Sequence, residues 1–335
     1  MVTSSTSAAT TPFDVGIFDL YWGRLAVVRS QSHLGRTCLP ELRALRKDME
    51  DEPGIFDHPV WYECSSSIIQ RGGRRGSAGA TSRHLDNLAK ECRQAAERTG
   101  STRLTRTADL IHQDSVRFAR YAGLPGWREE YEEAITAAQQ AHDPRRLSIR
   151  RNNLAVALND FCATPQERAE SLALSQRELA ERKEKYPDDI SFQTTAQMAV
   201  IRAGIRSLWL DPEPLMGLPL IIELADELLD KRRKLDGGSR TTRVIRAELA
   251  STQAHIEANP RLCFQLLSLW SDRDLFDDPE TVPAALCRAF ALASNRQSAE
   301  HWRDETRTAL EGRYGPNAPR TKALMSFLDR QVASA

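Results

Sequence analysis

The feature that most constrains the fold of this chain is a helical hairpin pattern over residues 149–189, which recurs along the sequence. Its first half carries one apolar stripe at the period of an α-helix, formed by Leu154, Ala155, Leu158, Phe161 and Cys162. Its second half begins at Thr164-Pro165, where threonine can cap a helix and proline needs no N–H donor. Because two such helices leave apolar surface uncovered, the hairpin requires further hairpins as neighbours.

Apolar markers comparable to Leu154-Ala155, which lies in the middle of the first helix, recur at steps of about 44 residues. These markers are Leu25-Ala26, Ile68, Leu110-Ile111, Leu154-Ala155, Met198-Ala199, Leu249-Ala250, Phe290-Ala291 and Leu324. One further helical stretch lies between each marker and the next, and these stretches are 39–50, 83–99, 127–142, 165–186, 213–235, 261–275 and 297–313. The pattern predicts about fifteen helices that alternate between a first and a second role in each pair.

Helix-breaking residues lie where this pattern predicts helices to begin and end. Five predicted starts pair a capping residue with proline: Asp143-Pro144, Thr164-Pro165, Asp211-Pro212, Asn259-Pro260 and Asp278-Pro279. Four glycines lie just past predicted ends: Gly100, Gly123, Gly237 and Gly315. The Gly- and Ser-rich residues 71–82 predict a mobile loop, and 211–220 predict an insertion with a kink or a short helix. We expect residues 1–12 to form a disordered tail and 13–335 to form one helical array.

The composition is that of a globular protein with balanced charge. There are 46 basic and 46 acidic residues, so no global field attracts nucleic acid or an anionic membrane. The N-terminal residues lack the apolar core of a secretory signal, and no apolar run reaches the length of a membrane span. The six cysteines include no CxxC pair, which indicates reduced, buried thiols. We therefore expect a cytoplasmic protein that binds neither membrane nor nucleic acid.

Several segments resemble tetratricopeptide repeats of the kinesin-light-chain type. "WGRLA" (22–26) matches the start of the general repeat pattern, with alanine in place of glycine. "NNLAVAL" (152–158) with the helix that follows it, and "RTALEGRYGPNAPRT" (307–321), resemble the longer repeat and its connecting segment. The resemblance implies an all-α, right-handed superhelical solenoid of antiparallel helix pairs. It also implies a concave wall, made by the first helix of each pair, that binds extended peptides or partner helices.

The resemblance implies which residues form this wall, by position relative to each marker. They are Asp109, His112, Ser115, Asn152, Asn153, Val156, Asn159, Gln193, Gln197, Val200, Glu248, Ser251 and His255. No lysine occupies the positions of the family's carboxylate clamp, so binding of a peptide C-terminus is disfavoured, although Arg150 and Arg151 could supply charge. Asparagine is unfavourable inside a helix. The three asparagines are therefore either groove residues or part of a solvated or inter-helix polar face.

These patterns predict a scaffold that binds a protein or peptide in its concave groove. One alternative is an adaptor of a bacterial regulatory system that senses a small molecule or a signalling peptide. Another is an enzyme in the solenoid cavity, with His112, Asp109 and His255 as candidate acid–base groups. No P-loop, GxGxxG, GxSxG or HExxH motif occurs. We therefore expect no cofactor and no metal, and the sequence assigns no catalytic residue.

Overall fold

The computed structural model describes residues 15–33, 38–72, 78–236 and 280–335. In these residues the predicted all-α fold is confirmed, because 84% of them are helical and none forms a strand. The described α-helices are α1 (Val15–His33), α2 (Leu39–Met49), α3 (Pro59–Gly72), α4 (Ala78–Thr99), α5 (Thr102–Ala122), α6 (Trp127–Gln140), α7 (Pro144–Leu158), α8 (Pro165–Lys185), α9 (Ile190–Leu210), α10 (Leu218–Asp236), α11 (Thr281–Leu292), α12 (Arg296–Tyr314) and α13 (Pro319–Ala333). A 3-10 helix, Ile55–Asp57, precedes α3. No described helix is both long and apolar enough to cross a membrane.

Helices that are neighbours along the chain pack against each other as pairs. The most extensive pairs are α4 with α5, α8 with α9, and α11 with α12. Some odd-numbered helices also contact each other, namely α1 with α3, α3 with α5, and α7 with α9. These helices therefore lie side by side.

The predicted helix signals act as expected at three positions. The Asp143 carboxylate accepts a hydrogen bond from the Arg146 backbone N–H at 2.9 Å and so caps α7. Thr164 and Glu167 form the predicted capping box of α8, with N···O distances of 3.1 and 2.7 Å. Gly123 ends α5 in the left-handed conformation, and a Cβ at this position would clash with Pro319. These local signals were therefore sufficient to place the helix ends.

Two predicted boundaries are wrong, because tertiary contacts override local propensity. Asp211 does not cap a helix start; it ends α9, and its carboxylate accepts hydrogen bonds from the buried Arg168 guanidinium. Helix α10 begins later, at Leu218, so residues 211–217 of the predicted insertion form a non-helical connection and 218–220 belong to α10. The predicted loop 71–82 is helical from residue 78, where Ala78 is fully buried in the core. The predicted tail, Gly237, Asn259-Pro260, helix 261–275 and Asp278-Pro279 lie outside the described residues.

The C-terminal helices fold back onto the middle of the chain. Helix α13 contacts α5, and α12 contacts α4. On α13, Arg320 donates to Asp160, just beyond α7, at 2.6 Å and to Glu280 at 2.7 Å, and all three side chains are buried. Tyr314 packs edge-on against Tyr121 of α5, with the ring centroids 5.3 Å apart. Distant parts of the chain are therefore in direct contact, unlike in an open array, where each unit contacts only its neighbours.

Helix α1 is attached to the start of α3 through His58, whose protonation gives a testable pH dependence. The imidazole stacks on Phe18 at 4.3 Å between centroids, and its Nδ1 accepts the Val60 N–H at 3.3 Å. Burial, and secondarily Arg103, hold the pKa of His58 below its usual 6.5, whereas Asp19 opposes this shift. Below the usual pKa the unfolded chain takes up a proton that the folded chain resists. The free energy of unfolding should therefore fall as the pH drops below about 6.5.

Asparagine at position 58 would cap α3 without titrating. We expect His58→Asn to lose less stability than the wild type between about pH 7 and pH 5, as measured by chemical denaturation at each pH. Parallel losses of stability in the two proteins would show that other groups cause the pH dependence.

Candidate functional site

A cavity of about 410 Å³ lies along three odd-numbered helices, α3, α5 and α7. Helix α1 adds Arg29 to its wall, and α6 adds Tyr131. The remaining lining residues are Glu63, Ser66, Ser67, Gln70, Thr107, Leu110, Ile111, Gln113, Asp114, Arg117, Arg120, Tyr121, Asn153, Val156 and Ala157. Apart from Tyr131, all of these residues come from odd-numbered helices. The cavity is therefore a groove formed mainly by α3, α5 and α7.

Equivalent positions on the three helices line the groove. Ile68, Ile111 and Leu154 are spaced 43 residues apart and lie on the side of each helix that packs inward. The cavity is lined by the residue that precedes each of these three and by the residue two positions after it. They are Ser67 and Gln70 on α3, Leu110 and Gln113 on α5, and Asn153 and Val156 on α7. The sequence repeat thus becomes a spatial repeat across the groove.

The predicted marker on α5 is wrong by one residue. Ile111 is buried, with 2% exposure, whereas Leu110 is 57% exposed and lines the groove. One residue turns an α-helix by about 100°, so positions counted from Leu110 point away from the wall. Asp109 instead pairs with Arg146 on α7. Neither it nor His112 lines the groove.

His112, a candidate acid–base group, lies between α4 and α6. Its Nε2 is 3.1 Å from Glu130 and its Nδ1 is 3.6 Å from Asp86. Ser115 is also buried and lies outside the cavity lining. On α5, the groove is therefore formed by a different face from the one predicted.

The α9 residues predicted to line the wall are inter-helix contacts instead. Val200 is in the hydrophobic core, with 2% exposure. The Gln193 amide donates to the backbone carbonyls of Tyr186 and Pro187, at 2.8 and 2.9 Å. The Gln197 amide donates to the Leu224 carbonyl of α10 at 2.8 Å. These positions cannot face a ligand, because other helices cover α9.

On α7, the structure places two of the predicted wall residues in the groove and three outside its lining. Asn153 and Val156 line the cavity. Arg150 is buried beside Asp109 at 3.7 Å, and burial lowers its pKa. The side-chain oxygens of Asn152 and Asn159 are buried and have no hydrogen-bond partner in the described part of the chain. Glu248, Ser251 and His255 lie outside the described residues.

Side-chain hydrogen bonds across the groove connect α1 to α3, α3 to α5, and α5 to α7. Arg29 of α1 donates to Glu63 of α3 at 2.7 Å and to Ser67 at 3.1 Å. Gln70 of α3 donates to Asp114 of α5 at 2.6 Å. Asn153 of α7 donates to Gln113 of α5, also at 2.6 Å. These bonds hold the helices at a fixed spacing, which keeps the groove preformed.

The remaining charges are paired, and two apolar side chains are exposed. Arg117 is 2.9 Å from Asp114, and Arg120 is 3.6 Å from Glu167 with its guanidinium over the Trp127 ring. The Nε and one Nη of Arg120 are nevertheless buried without a hydrogen-bond partner in the described residues. Leu110 and Val156 are 57% and 43% exposed. The groove therefore combines neutral hydrogen-bonding groups, paired charges and exposed apolar surface.

The sequence contained a signal that would have found the residues missed on α3. Glu63, Ser66, Ser67 and Gln70 follow i, i+3, i+4 and i+7 in "ECSSSIIQ". This is a polar stripe at helical period on a helix that is otherwise largely apolar. A polar stripe of this kind marks a helix face that is covered neither by the hydrophobic core nor by the neighbouring helix.

The titratable groups in the described lining of the groove are carboxylates, arginines and tyrosines, and the lining includes no histidine, lysine or cysteine. No cluster of metal-ligand residues occurs in the described ranges. Burial raises the pKa of the Cys64 and Cys92 thiols to about 11 and about 12, so neither is a ready nucleophile. No protein-family model matches the sequence, and a comparison with curated proteins finds no match. A proposal for the function of this chain therefore rests on the geometry of the groove.

Proposed function

We propose that the protein is a scaffold that binds an extended peptide segment of a partner in the groove of α3, α5 and α7. In this proposal the three helices act as the inner helices of an array similar to a tetratricopeptide solenoid. The observation that carries it is that two equivalent positions on each of three successive helices line one cavity. An extended chain also repeats its groups at regular intervals, so a repeating wall matches it.

The chemistry of the wall supports a peptide ligand. An extended backbone offers alternating N–H donors and C=O acceptors that must be satisfied when it is covered. Asn153 uses its amide nitrogen to bond Gln113, which leaves its side-chain oxygen as an acceptor for a backbone N–H. Leu110 and Val156 provide apolar area beside these polar groups. A few polar groups within apolar surface are typical of binding grooves.

A small ligand is the second candidate, and the size of the cavity favours it. The volume of about 410 Å³ lies in the range of sites that hold small molecules, roughly 300–1,000 Å³. This would make the protein a sensing adaptor, in which the ligand changes how the helix pairs pack. A thermal-shift screen of metabolites against the purified protein tests this candidate independently of peptides.

The test of peptide binding is selection from a display library of random, unstructured peptides, followed by measurement of Kd. Asn153→Ala should weaken a selected peptide by about 1–3 kcal/mol, because a backbone N–H of the peptide loses its acceptor. The melting temperature should change little, since Asn153 is only partly buried. Asn87→Ala is the matched control, because Asn87 is exposed on α4, away from the groove.

Two results would contradict the proposal. One is that the library yields no peptide that distinguishes wild type from Asn153→Ala. The other is that Asn153→Ala greatly lowers stability while Kd is unchanged, which would make the Asn153–Gln113 bond a purely structural link between α5 and α7.

A further inference from the structure

We infer that the groove selects a peptide segment without basic residues, with an aliphatic side chain against Leu110 and Val156 and a backbone carbonyl bound by the Tyr131 hydroxyl. The inference rests on the proposed function and adds the chemistry of the bound segment. Three features carry it: an unpartnered phenol, an exposed aliphatic pair and carboxylates that are already paired with arginines.

Tyr131 is the unpartnered phenol. It is 6% exposed, lies on α6 and lines the cavity. Its hydroxyl has no hydrogen-bond partner among the described residues, whereas Tyr21 and Tyr62 donate to backbone carbonyls at 3.1 and 2.9 Å. The hydroxyl oxygen is not among the fully buried polar atoms that lack a partner, so it is accessible from the cavity. It can therefore bond to what occupies the groove.

The ionisation of Tyr131 fixes the direction of that hydrogen bond. Burial raises the pKa of the phenol above its usual 10.0, so it remains protonated at neutral pH. A neutral phenol donates readily, and every residue of an extended peptide presents a carbonyl oxygen as an acceptor. Tyr131 can thus bind the backbone without selecting a side chain.

The carboxylates of the groove are paired within the protein. Arg29 is 2.7 Å from Glu63, and Arg117 is 2.9 Å from Asp114. The third cation of the lining, Arg120, has the Glu167 carboxylate at 3.6 Å, but its Nε and one Nη are buried and make no hydrogen bond in the described part of the chain. A basic ligand side chain would have to break one of these pairs or lose its hydration without compensation. The groove therefore disfavours basic residues, whereas the Arg120 donors suit an acceptor such as a peptide carbonyl.

The aliphatic pair supplies the attraction. Leu110 and Val156 are among the most exposed large apolar side chains in the described residues, and they lie on adjacent first helices of the same cavity. An aliphatic side chain that covers both removes three apolar surfaces from water together. This selects leucine, isoleucine, valine or methionine at one position of the peptide.

The experiment uses peptides selected from the library, synthesised with acetylated N-termini and amidated C-termini so that the ends carry no charge. Titration calorimetry measures Kd for the wild type and for Tyr131→Phe, which removes only the hydroxyl. We expect a loss of about tenfold in affinity with an unchanged melting temperature. Tyr186→Phe is the matched control, because Tyr186 lies at the end of α8, outside the groove.

A second variant tests the aliphatic position. Leu110→Asp should abolish detectable binding without unfolding the protein, because Leu110 is already 57% exposed. Leu220→Asp is its control, since Leu220 is 46% exposed on α10 and does not line the groove.

Selection of peptides rich in basic residues, or wild-type affinity in Tyr131→Phe, would overturn the inference. Each of these results would leave peptide binding itself intact if Asn153→Ala still weakens the complex. A library that yields no groove-binding peptide would overturn the inference together with the proposed function.

Discussion

Arg320→Ala is expected to lower the free energy of unfolding by about 3–5 kcal/mol, the usual cost of removing one partner from a buried ion pair. Arg320 is 2% exposed and donates to Asp160 at 2.6 Å and to Glu280 at 2.7 Å. Without the guanidinium, two carboxylates would remain buried without a cation between them. Chemical denaturation followed by circular dichroism measures the loss.

The control is Arg330→Ala on the same helix, where an exposed guanidinium donates only to Ser326 at 2.9 Å. Its removal should cost less than about 1 kcal/mol. Combining Arg320→Met with Asp160→Asn and Glu280→Gln should recover part of the stability, because no unpaired charge would remain. Equal losses in Arg320→Ala and Arg330→Ala would mean that α13 does not dock through this cluster.

Leu154→Ala is expected to cost about 2–5 kcal/mol, because it removes buried methyl groups and leaves a cavity. Leu154 is 6% exposed and packs in a cluster with Val116, Tyr131 and Leu158. Arg177→Ala should cost little, since Arg177 is 61% exposed and pairs only with Glu181 on its own helix. Equal losses in the two variants, measured by thermal or chemical denaturation, would show that the register assigned to α7 is wrong.

The groove residues differ in how far the sequence could predict them. On α7, Leu154 is the inward-facing residue, so Asn153 and Val156 fall in the groove as predicted. On α5, two adjacent apolar residues could serve as the marker, and hydrophobicity does not tell Leu110 from Ile111. The choice between them rotates the helix by about 100° and replaces every predicted wall residue.

The α9 residues show a different limit. Gln193 and Gln197 are polar, which suggests a solvent-facing position, yet they are 6% and 0% exposed. Their amides satisfy backbone carbonyls that become accessible only when α8, α9 and α10 are assembled. A buried polar residue with a satisfied amide looks the same in sequence as a binding residue.

The sequence by itself determined the helices and several of their ends, because these depend on contacts within a few residues. Capping at Asp143 and Thr164 and the apolar stripe of α7 are signals of this kind. Only the tertiary structure decided which faces remain open as a groove and that the C-terminal helix returns to α5 through Arg320 and Asp160, which are 160 residues apart. Burial at a given position depends on which distant helices cover it, and no local pattern of residues contains that information.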